Sequence, residues 1–298
     1  MAELTIRAHA KINLDLRLGA RRPDGFHPID TLFVRTDVAD HLSAAPASDG
    51  SLSLVIEGDE GLSAGPENLV LRAAQALRER AKTTAGAKLR LSKEIPQGAG
   101  MGGGSSDAAA ALQLLRRLWA LDLTDSELME IGARLGSDVP FFLQPYPARG
   151  TGRGEILEPV PLVQLPWAVL IHPGFGSPTA EAYQRYAANR HAGEVGPPLR
   201  LVLGSGQDQP LCPRNDLEPA VEQKYLWIRA ARAWLSRQPG VLAARMSGSG
   251  STVFGLWSTE AEAMTSAKRA KDYFGGEAWI RMTRLLGAPS AADARSGT

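Results

Sequence analysis

From Leu4 to Leu18 every even position is apolar: Leu4, Ile6, Ala8, Ala10, Ile12, Leu14, Leu16 and Leu18. The odd positions carry Thr5, Arg7, His9, Lys11, Asn13, Asp15 and Arg17. Successive side chains of a strand point to opposite faces, so alternation this long specifies extended structure, as two strands or one bent strand. It also places Lys11 and Asn13 together on the face opposite the core.

The pattern then changes. Arg21-Arg-Pro-Asp-Gly-Phe-His27 reads as a turn by its Pro and Asp-Gly, and Leu32–Val38 resumes a strand. Leu52–Glu57 reads as strand and Pro66–Arg80 as a helix whose core stripe is Val70, Ala73, Ala74 and Leu77. A short strand at Lys88–Leu91 precedes an expected helix over Ser106–Ala120, with Leu112, Leu115, Leu118 and Trp119 inward. Thr124-Asp-Ser-Glu127 is a capping-box pattern opening a helix that stops at Gly136. The Pro- and Gly-rich stretch Pro145–Pro166 marks a domain boundary, giving expected domains over residues 1–160 and 161–298. Beyond it, strands at Trp167–His172, Val241–Met246, Thr252–Trp257 and Ala278–Arg284 mix with helices at Thr179–Ala188, Asp216–Arg237 and Thr259–Tyr273. His191–Arg214 reads as a loop-rich insertion and Ala288–Thr298 as a frayed tail. Without regular βα alternation the class is α+β.

Charge narrows the function. Thirty-three Lys plus Arg against 32 Asp plus Glu leave a formal net charge of +1, no electrostatic footprint for nucleic acid or an anionic membrane. Cys212 is the sole cysteine, and the five histidines (His9, His27, His41, His172, His191) show no HExxH or HxH spacing. The N-terminus lacks a basic region followed by an apolar core, and no apolar run reaches membrane-span length. The expectation is a cytoplasmic protein with small-molecule ligands, no nucleic acid, no membrane and no obligate protein partner.

Five glycines fall within Gly98–Gly104, followed by Ser105, Ser106 and a helix-forming run. Gly98-Ala-Gly-Met-Gly-Gly103 satisfies GxGxxG, but helix and turn precede Asp122 where a dinucleotide fold needs a strand, and no GK[ST] follows. What fits is an anion site. Main-chain amides bared of side chains meet the positive end of a helix, and the serines add hydroxyls for phosphate or a divalent metal. A mobile hinge with a serine cap is the plainer alternative. A second glycine stretch, Met246-Ser-Gly-Ser-Gly-Ser251, is either a β-turn linker or another point of close backbone approach.

Three blocks resemble the GHMP kinases, small-molecule kinases named for galactokinase, homoserine kinase, mevalonate kinase and phosphomevalonate kinase. They are Ala8-His-Ala-Lys-Ile-Asn-Leu14, Ile95-Pro-Gln-Gly-Ala-Gly-Met-Gly-Gly-Gly-Ser-Ser106 and Met246-Ser-Gly-Ser-Gly-Ser-Thr-Val-Phe254. Arg22-Pro-Asp-Gly-Phe-His27, Gly102-Gly-Gly104, Gly136-Ser-Asp-Val-Pro-Phe-Phe142, His172-Pro-Gly174 with Pro178-Thr179, and Asn215-Asp-Leu-Glu218 are similar to the branch acting on a cytidylyl methylerythritol in the non-mevalonate isoprenoid pathway. Two departures stand out: Ala99 and Met101 interrupt the glycine run, and Phe26 occupies a place often held by Tyr.

The resemblance implies a two-lobed α+β fold: an N-terminal lobe like the second domain of ribosomal protein S5 and a C-terminal α/β sandwich lobe, with the active site in the cleft between lobes. It implies transfer of the γ-phosphoryl of ATP, with Mg²⁺, to the 2-hydroxyl of the erythritol moiety. Asp138 is the candidate base and Lys11 the charge partner beside it. The nucleotide set is Pro96, Gln97, Gly98, Ala99, Gly100, Met101, Gly102, Gly103, Gly104, Ser105 and Ser106, with Asn68, Leu69 and Lys93 near adenosine and Ser106 a candidate Mg²⁺ ligand. The acceptor set is Asn13, Phe26, His27, His172, Thr179 and Tyr183, with Phe26 and Tyr183 bracketing cytosine. Each has a plainer reading. Lys11, Asn13 and Lys93 suit exposed strand positions; Asp138 follows the helix-ending Gly136 with Val139 held extended by Pro140, yet Ser137 or Asp138 also suits a helix cap. A homoserine or mevalonate type kinase, or a nucleotide-binding module without transfer activity, are the competing functions.

Overall fold

The structure is a computed structural model and describes residues 3–189 and 192–288. The expected tail 289–298, and His191 at the head of the insertion, lie outside these residues. The chain divides into two compact units. One comprises residues 1–10, 38–95 and 102–144, and the other 11–37, 96–101 and 145–298.

In the first unit, β1 (Leu4–Leu18) begins and the C-terminal half of β2 (Ile29–Ala47) continues the sheet. β4 (Gly86–Ser92) pairs antiparallel with β2 from His41↔Ser92 to Ala47↔Gly86, and parallel with β3 (Leu52–Glu57). A parallel pair needs a crossover, supplied by α1 (Leu69–Ala81), whose predicted stripe Val70, Ala73, Ala74 and Leu77 is buried. Next comes α2 (Gly103–Leu118), which is buried at every position from Ser106 to Leu112. A helix segment buried on every side belongs at the centre of its unit. The Thr124 capping box forms as expected at the start of α3 (Asp125–Leu135), and Gly136 ends it. The short α4 is Val139–Leu143.

The second unit takes β5 (Ala148–Gly152) and β6 (Ile156–Pro159) onto the N-terminal half of β2. Its sheet runs β11-β12-β8-β13-β2, all antiparallel, from β8 (Trp167–His172), β11 (Ala243–Met246), β12 (Val253–Trp257) and β13 (Trp279–Leu286). Val169, Ile171, Val253, Trp257 and Ile280 form one core with residues of α5 (Thr179–Asn189), α6 (Glu218–Lys224), α7 (Leu226–Leu235) and α8 (Glu260–Phe274).

Three expectations need correction. The insertion is not loop throughout, because β9 (Leu199–Leu203) and β10 (Asp208–Leu211) join β7 (Leu162–Gln164) in a three-stranded sheet. The helix expected over Asp216–Arg237 breaks at Tyr225, which leaves helical geometry at φ −109° and ψ 81° while its ring stacks on Phe175. Alternation in β1 does not expose Lys11 and Asn13: both are only 4% exposed, because this half of the strand is covered on both faces. Among the described residues no helix is long and apolar enough to cross a membrane.

Candidate active site

The glycine loop is organised by its carbonyls. The oxygens of Gly98, Ala99, Gly100 and Met101 accept, in turn, from Ser177 N at 3.2 Å, Thr252 N at 3.2 Å, Ser247 Oγ at 2.9 Å and Lys11 N at 2.9 Å. In a trans peptide the N–H lies opposite the preceding C=O. Tying down four successive carbonyls therefore turns the N–H groups of residues 99–102 to the other side. The first-turn amides of α2 follow, and these lack intrahelical acceptors. The result is a continuous run of main-chain donors ending at a helix N-terminus, chemistry suited to phosphate.

Positive φ falls on alternate residues, at 61° for Gly98, 73° for Gly100 and 69° for Gly102. Ala99 and Met101 avoid it and bury their side chains, so the two departures from an all-glycine run fit the loop. At Gly100 an added Cβ would collide with the carbonyl of Ser247 and lie 2.9 Å from that of Gly250. Here the close neighbour is the protein's own second glycine loop. Gly104 is different: it is exposed, and a Cβ there would meet only Leu69 Cδ1, at 3.5 Å. The helix starts at Gly103, three residues earlier than expected, so Ser105 and Ser106 belong to its first turn and the cap is Gly102. Pro96 is half-buried and Gln97 exposed at the mouth of the loop.

Lys11 Nζ donates to Asn13 Oδ1 at 2.7 Å and lies 5.3 Å from the centre of the Phe33 ring. Asn13 Nδ2 donates to Thr31 Oγ1 at 2.8 Å, which fixes which way the amide points. Gly248 sits against this pair, where a Cβ would lie 3.2 Å from Asn13 Oδ1 and 3.5 Å from Lys11 Nζ. The second glycine stretch is thus a point of close backbone approach and not a plain linker.

Lys93 is not an exposed strand-end lysine. Its side chain is 5% exposed and its Nζ bonds Asp40 at 2.5 Å and Asp107 at 2.8 Å. Burial disfavours its charge, but Asp107 and Asp40 outweigh this and raise its pKa. Asp107, near the start of α2, is pushed up to about 7 by burial against the pull of Lys93. Asn68 caps α1, accepting from Val70 N at 2.9 Å, and donates to Ser63 O at 2.8 Å; Leu69 beside it is half-buried.

Asp138 is half-buried at the start of α4, and its side chain makes no cap bond. Val139 is helical, not extended, with Pro140 in the first turn, where a missing N–H costs nothing. The extended Val139 is thus not found, and Asp138 holds the cap position of α4 without a side-chain cap bond.

Phe26 is 48% exposed at the tip of its turn, with the Arg153 guanidinium 3.6 Å from its ring centre. His27 is buried. Its Nδ1 lies 3.0 Å from the carbonyl of Gly19, so a neutral ring keeps its proton there and its Nε2 lone pair is an unpartnered acceptor. Tyr186 meets the His27 ring edge-on at 5.2 Å and was not anticipated; its i,i+3 spacing from Tyr183 on α5 was the available signal. Tyr183 is half-buried against the core. Thr179 Oγ1 lies 2.9 Å from Ser249 Oγ of the second glycine loop. His172 is buried at the end of β8, where burial pulls its pKa down to about 4. It accepts from Gly174 N at 3.2 Å, leaving Nε2 an unpartnered donor.

The family models described as GHMP kinases N terminal domain and GHMP kinases C terminal match residues 68–145 and 199–273. A relative from Methylacidiphilum infernorum, a 4-diphosphocytidyl-2-C-methyl-D-erythritol kinase, is 40% identical over 94% of this chain and 96% of its own. The chain belongs to the GHMP kinase family. A second such kinase, from Salinibacter ruber, is 43% identical over 89% of this GHMP kinase and 93% of its own length. Among solved structures, a 4-(cytidine 5'-diphospho)-2C-methyl-D-erythritol kinase matches with TM-score 0.77 and 32% identity, covering 96% of this chain and 100% of that one. Homoserine kinase from Cytophaga hutchinsonii, at TM-score 0.68 and 16% identity, shares the fold. The two-domain α+β fold of the GHMP kinases is thus the fold of this chain, and ATP is the co-substrate its family implies.

Proposed function

We propose that this GHMP kinase transfers the γ-phosphoryl of ATP to the 2-hydroxyl of 4-diphosphocytidyl-2-C-methyl-D-erythritol, in isoprenoid precursor synthesis by the non-mevalonate route. The observation that carries the choice of acceptor is the Phe26–His27 turn. An exposed aromatic face beside a buried acceptor nitrogen suits a flat base with an exocyclic amine. Homoserine and mevalonate offer neither a π-face nor such an amine. Near-full-length relatives of about 40% identity that bear this name support the same reading.

In the reaction the acceptor oxygen forms a bond to the γ-phosphorus as the bridge to the β-phosphate breaks, and ADP departs. Catalysis of such a step is mostly positioning and charge stabilisation. The main-chain donors of residues 99–105 hold the phosphates. Lys11, oriented by Asn13, offsets negative charge as it develops. Asp138 orients the hydroxyl and receives its proton; a carboxylate is a weak base towards an alcohol, so the proton passes late.

Mg²⁺ goes with this reading as an ion carried largely by the nucleotide. Among the described residues no cluster of three or more His, Cys, Asp or Glu side chains forms a cage, and Ser106 offers one neutral oxygen. That donor set fits an ion that keeps several waters and takes phosphate oxygens. It would supply charge compensation at the phosphates. A cytoplasmic setting accompanies the reaction through its use of ATP.

A coupled ADP-release assay tests the proposal, with turnover expected on the cytidylyl substrate. Efficient phosphorylation of homoserine or mevalonate, with the cytidine diphosphate portion dispensable, would replace the acceptor. Tight ATP binding without acceptor-dependent turnover would make the chain a binding module.

A further inference from the structure

The block Asn215-Asp-Leu-Glu218 has no role in the site as described, and Asn215 and Glu218 are each 1% exposed, out of reach of a substrate. Its backbone lies along the end of β1. Leu16 N donates to Arg214 O at 2.7 Å, and Asp216 N donates to Leu16 O at 2.9 Å. Side chains add to this seam, because Asp15 accepts from Arg214 N and Asp216 accepts from Leu18 N, both at 2.9 Å. The same strand carries Lys11 and Asn13 a few residues earlier.

The other side of the block grips the second glycine loop. Asn215 Nδ2 donates to the carbonyls of Met246 and Gly248, each at 2.8 Å, while its Oδ1 accepts from Leu217 N at 2.9 Å. Both donors of the amide are used, and a flipped amide would set its oxygen against two carbonyls. Glu218 Oε1 accepts from Met246 N at 2.6 Å, so both main-chain groups of Met246 are held from this block. The held loop then reaches the chemistry. Ser247 Oγ donates to Gly100 O at 2.9 Å and accepts from Asn13 N at 3.3 Å, and Gly248 packs on the Lys11–Asn13 pair.

We infer that Asn215 is a positioning residue for phosphoryl transfer, fixing the second glycine loop between β1 and the phosphate loop so that Ser247 holds the Gly100 carbonyl. This rests on the kinase reading above. A side chain buried away from every substrate acts here through one loop, Met246–Gly248, and the hydroxyl of its Ser247.

Steady-state kinetics of Asn215→Asp, Asn215→Ser, Ser247→Ala and the Asn215→Ser/Ser247→Ala pair test it, with melting curves confirming a folded protein at assay temperature. An inactive wild-type chain would defeat the kinase reading and not this inference. With an active wild type, both Asn215 variants should lose about 30-fold in kcat while KM for ATP rises less than about 5-fold, the signature of misplacement and not lost binding. Ser247→Ala should lose about 10-fold. The pair should lose little more than Asn215→Ser alone, because residues acting along one path are not additive. Folded Asn215 variants with wild-type kcat, multiplicative losses in the pair, or failure of both Asn215 variants to fold would each overturn the inference, the last by making Asn215 a determinant of folding only.

Discussion

Lys11 donates to the side-chain oxygen of Asn13 across two residues of one strand face, at 2.7 Å and in a buried setting. A lysine stem is flexible, so a fixed partner decides where its charge sits. Asn13→Ala should therefore cost roughly 10- to 100-fold in kcat through misplacement of that ammonium, with a smaller change in KM for ATP. A variant that loses ATP affinity at unchanged kcat would remove Asn13 from this role.

Asp138→Asn keeps the shape and removes the charge of a side chain that makes no cap bond. kcat should fall by about 100-fold or more, starting from the lower end of the range for losing a general base. ATP affinity, measured by calorimetry, should stay near that of the wild type. Unchanged turnover would take Asp138 out of the mechanism.

Gly104 and Gly100 separate ligand from fold. Gly104→Ala places a methyl in ordinary contact with Leu69 on a helix, where alanine is favoured by up to about 1 kcal/mol. The melting temperature should hold or rise, while KM for ATP rises at least about tenfold if phosphate approaches that backbone. Gly100→Ala meets the carbonyls of Ser247 and Gly250 at a positive φ and should lower the melting temperature itself. ATP kinetics unaffected in Gly104→Ala would place the phosphates elsewhere.

For the acceptor, Phe26→Ala removes a half-exposed ring at a turn tip, with little effect on stability. Base stacking is worth roughly 1–3 kcal/mol, so KM for the cytidylyl substrate should rise about 5- to 150-fold. KM for ATP should not move; an effect confined to ATP would reassign the ring.

Glu218 gives a pH test. Burial pushes its carboxyl up to about 7, against the attraction of Arg232 and Arg245. The folded state therefore holds its proton more tightly than the unfolded chain, whose glutamate titrates near about 4.3. This group's contribution is full below that value and is lost as pH rises through 7. Glu218→Gln keeps an acceptor for the Met246 amide and removes the slope. Between pH 4.5 and 7.5 the melting temperature of the wild type should fall relative to the variant by several degrees. Parallel pH profiles would show that the carboxyl ionises as freely folded as unfolded.

Local signals were the legible ones. The alternation of Leu4–Leu18, the stripe on α1 and the Thr124–Glu127 capping box each depend on residues a few positions apart, and each formed. What stayed hidden was set by distant partners. Periodicity assigns Lys11 and Asn13 to a face but cannot show that Gly248 packs on it. The fate of Lys93 depends on Asp40 and Asp107, contributed by different elements. The early start of α2 is hidden too, because glycine ranks low in helix propensity and its placement at Gly103 comes from the loop before it. The break at Tyr225 carries no Gly or Pro to announce it.

On the proposed function, a loop whose phosphate donors are amides, with its carbonyls tied inward, presents a ligand with groups that only a change to proline can remove. Substitution can crowd such a surface or tilt it, but every residue type except proline still brings its N–H. An inhibitor anchored on the amides of residues 99–102 would therefore meet escape chiefly through distortion, which on the proposed function also impairs ATP. Compounds resting on side chains such as Phe26 would be evaded by a single replacement.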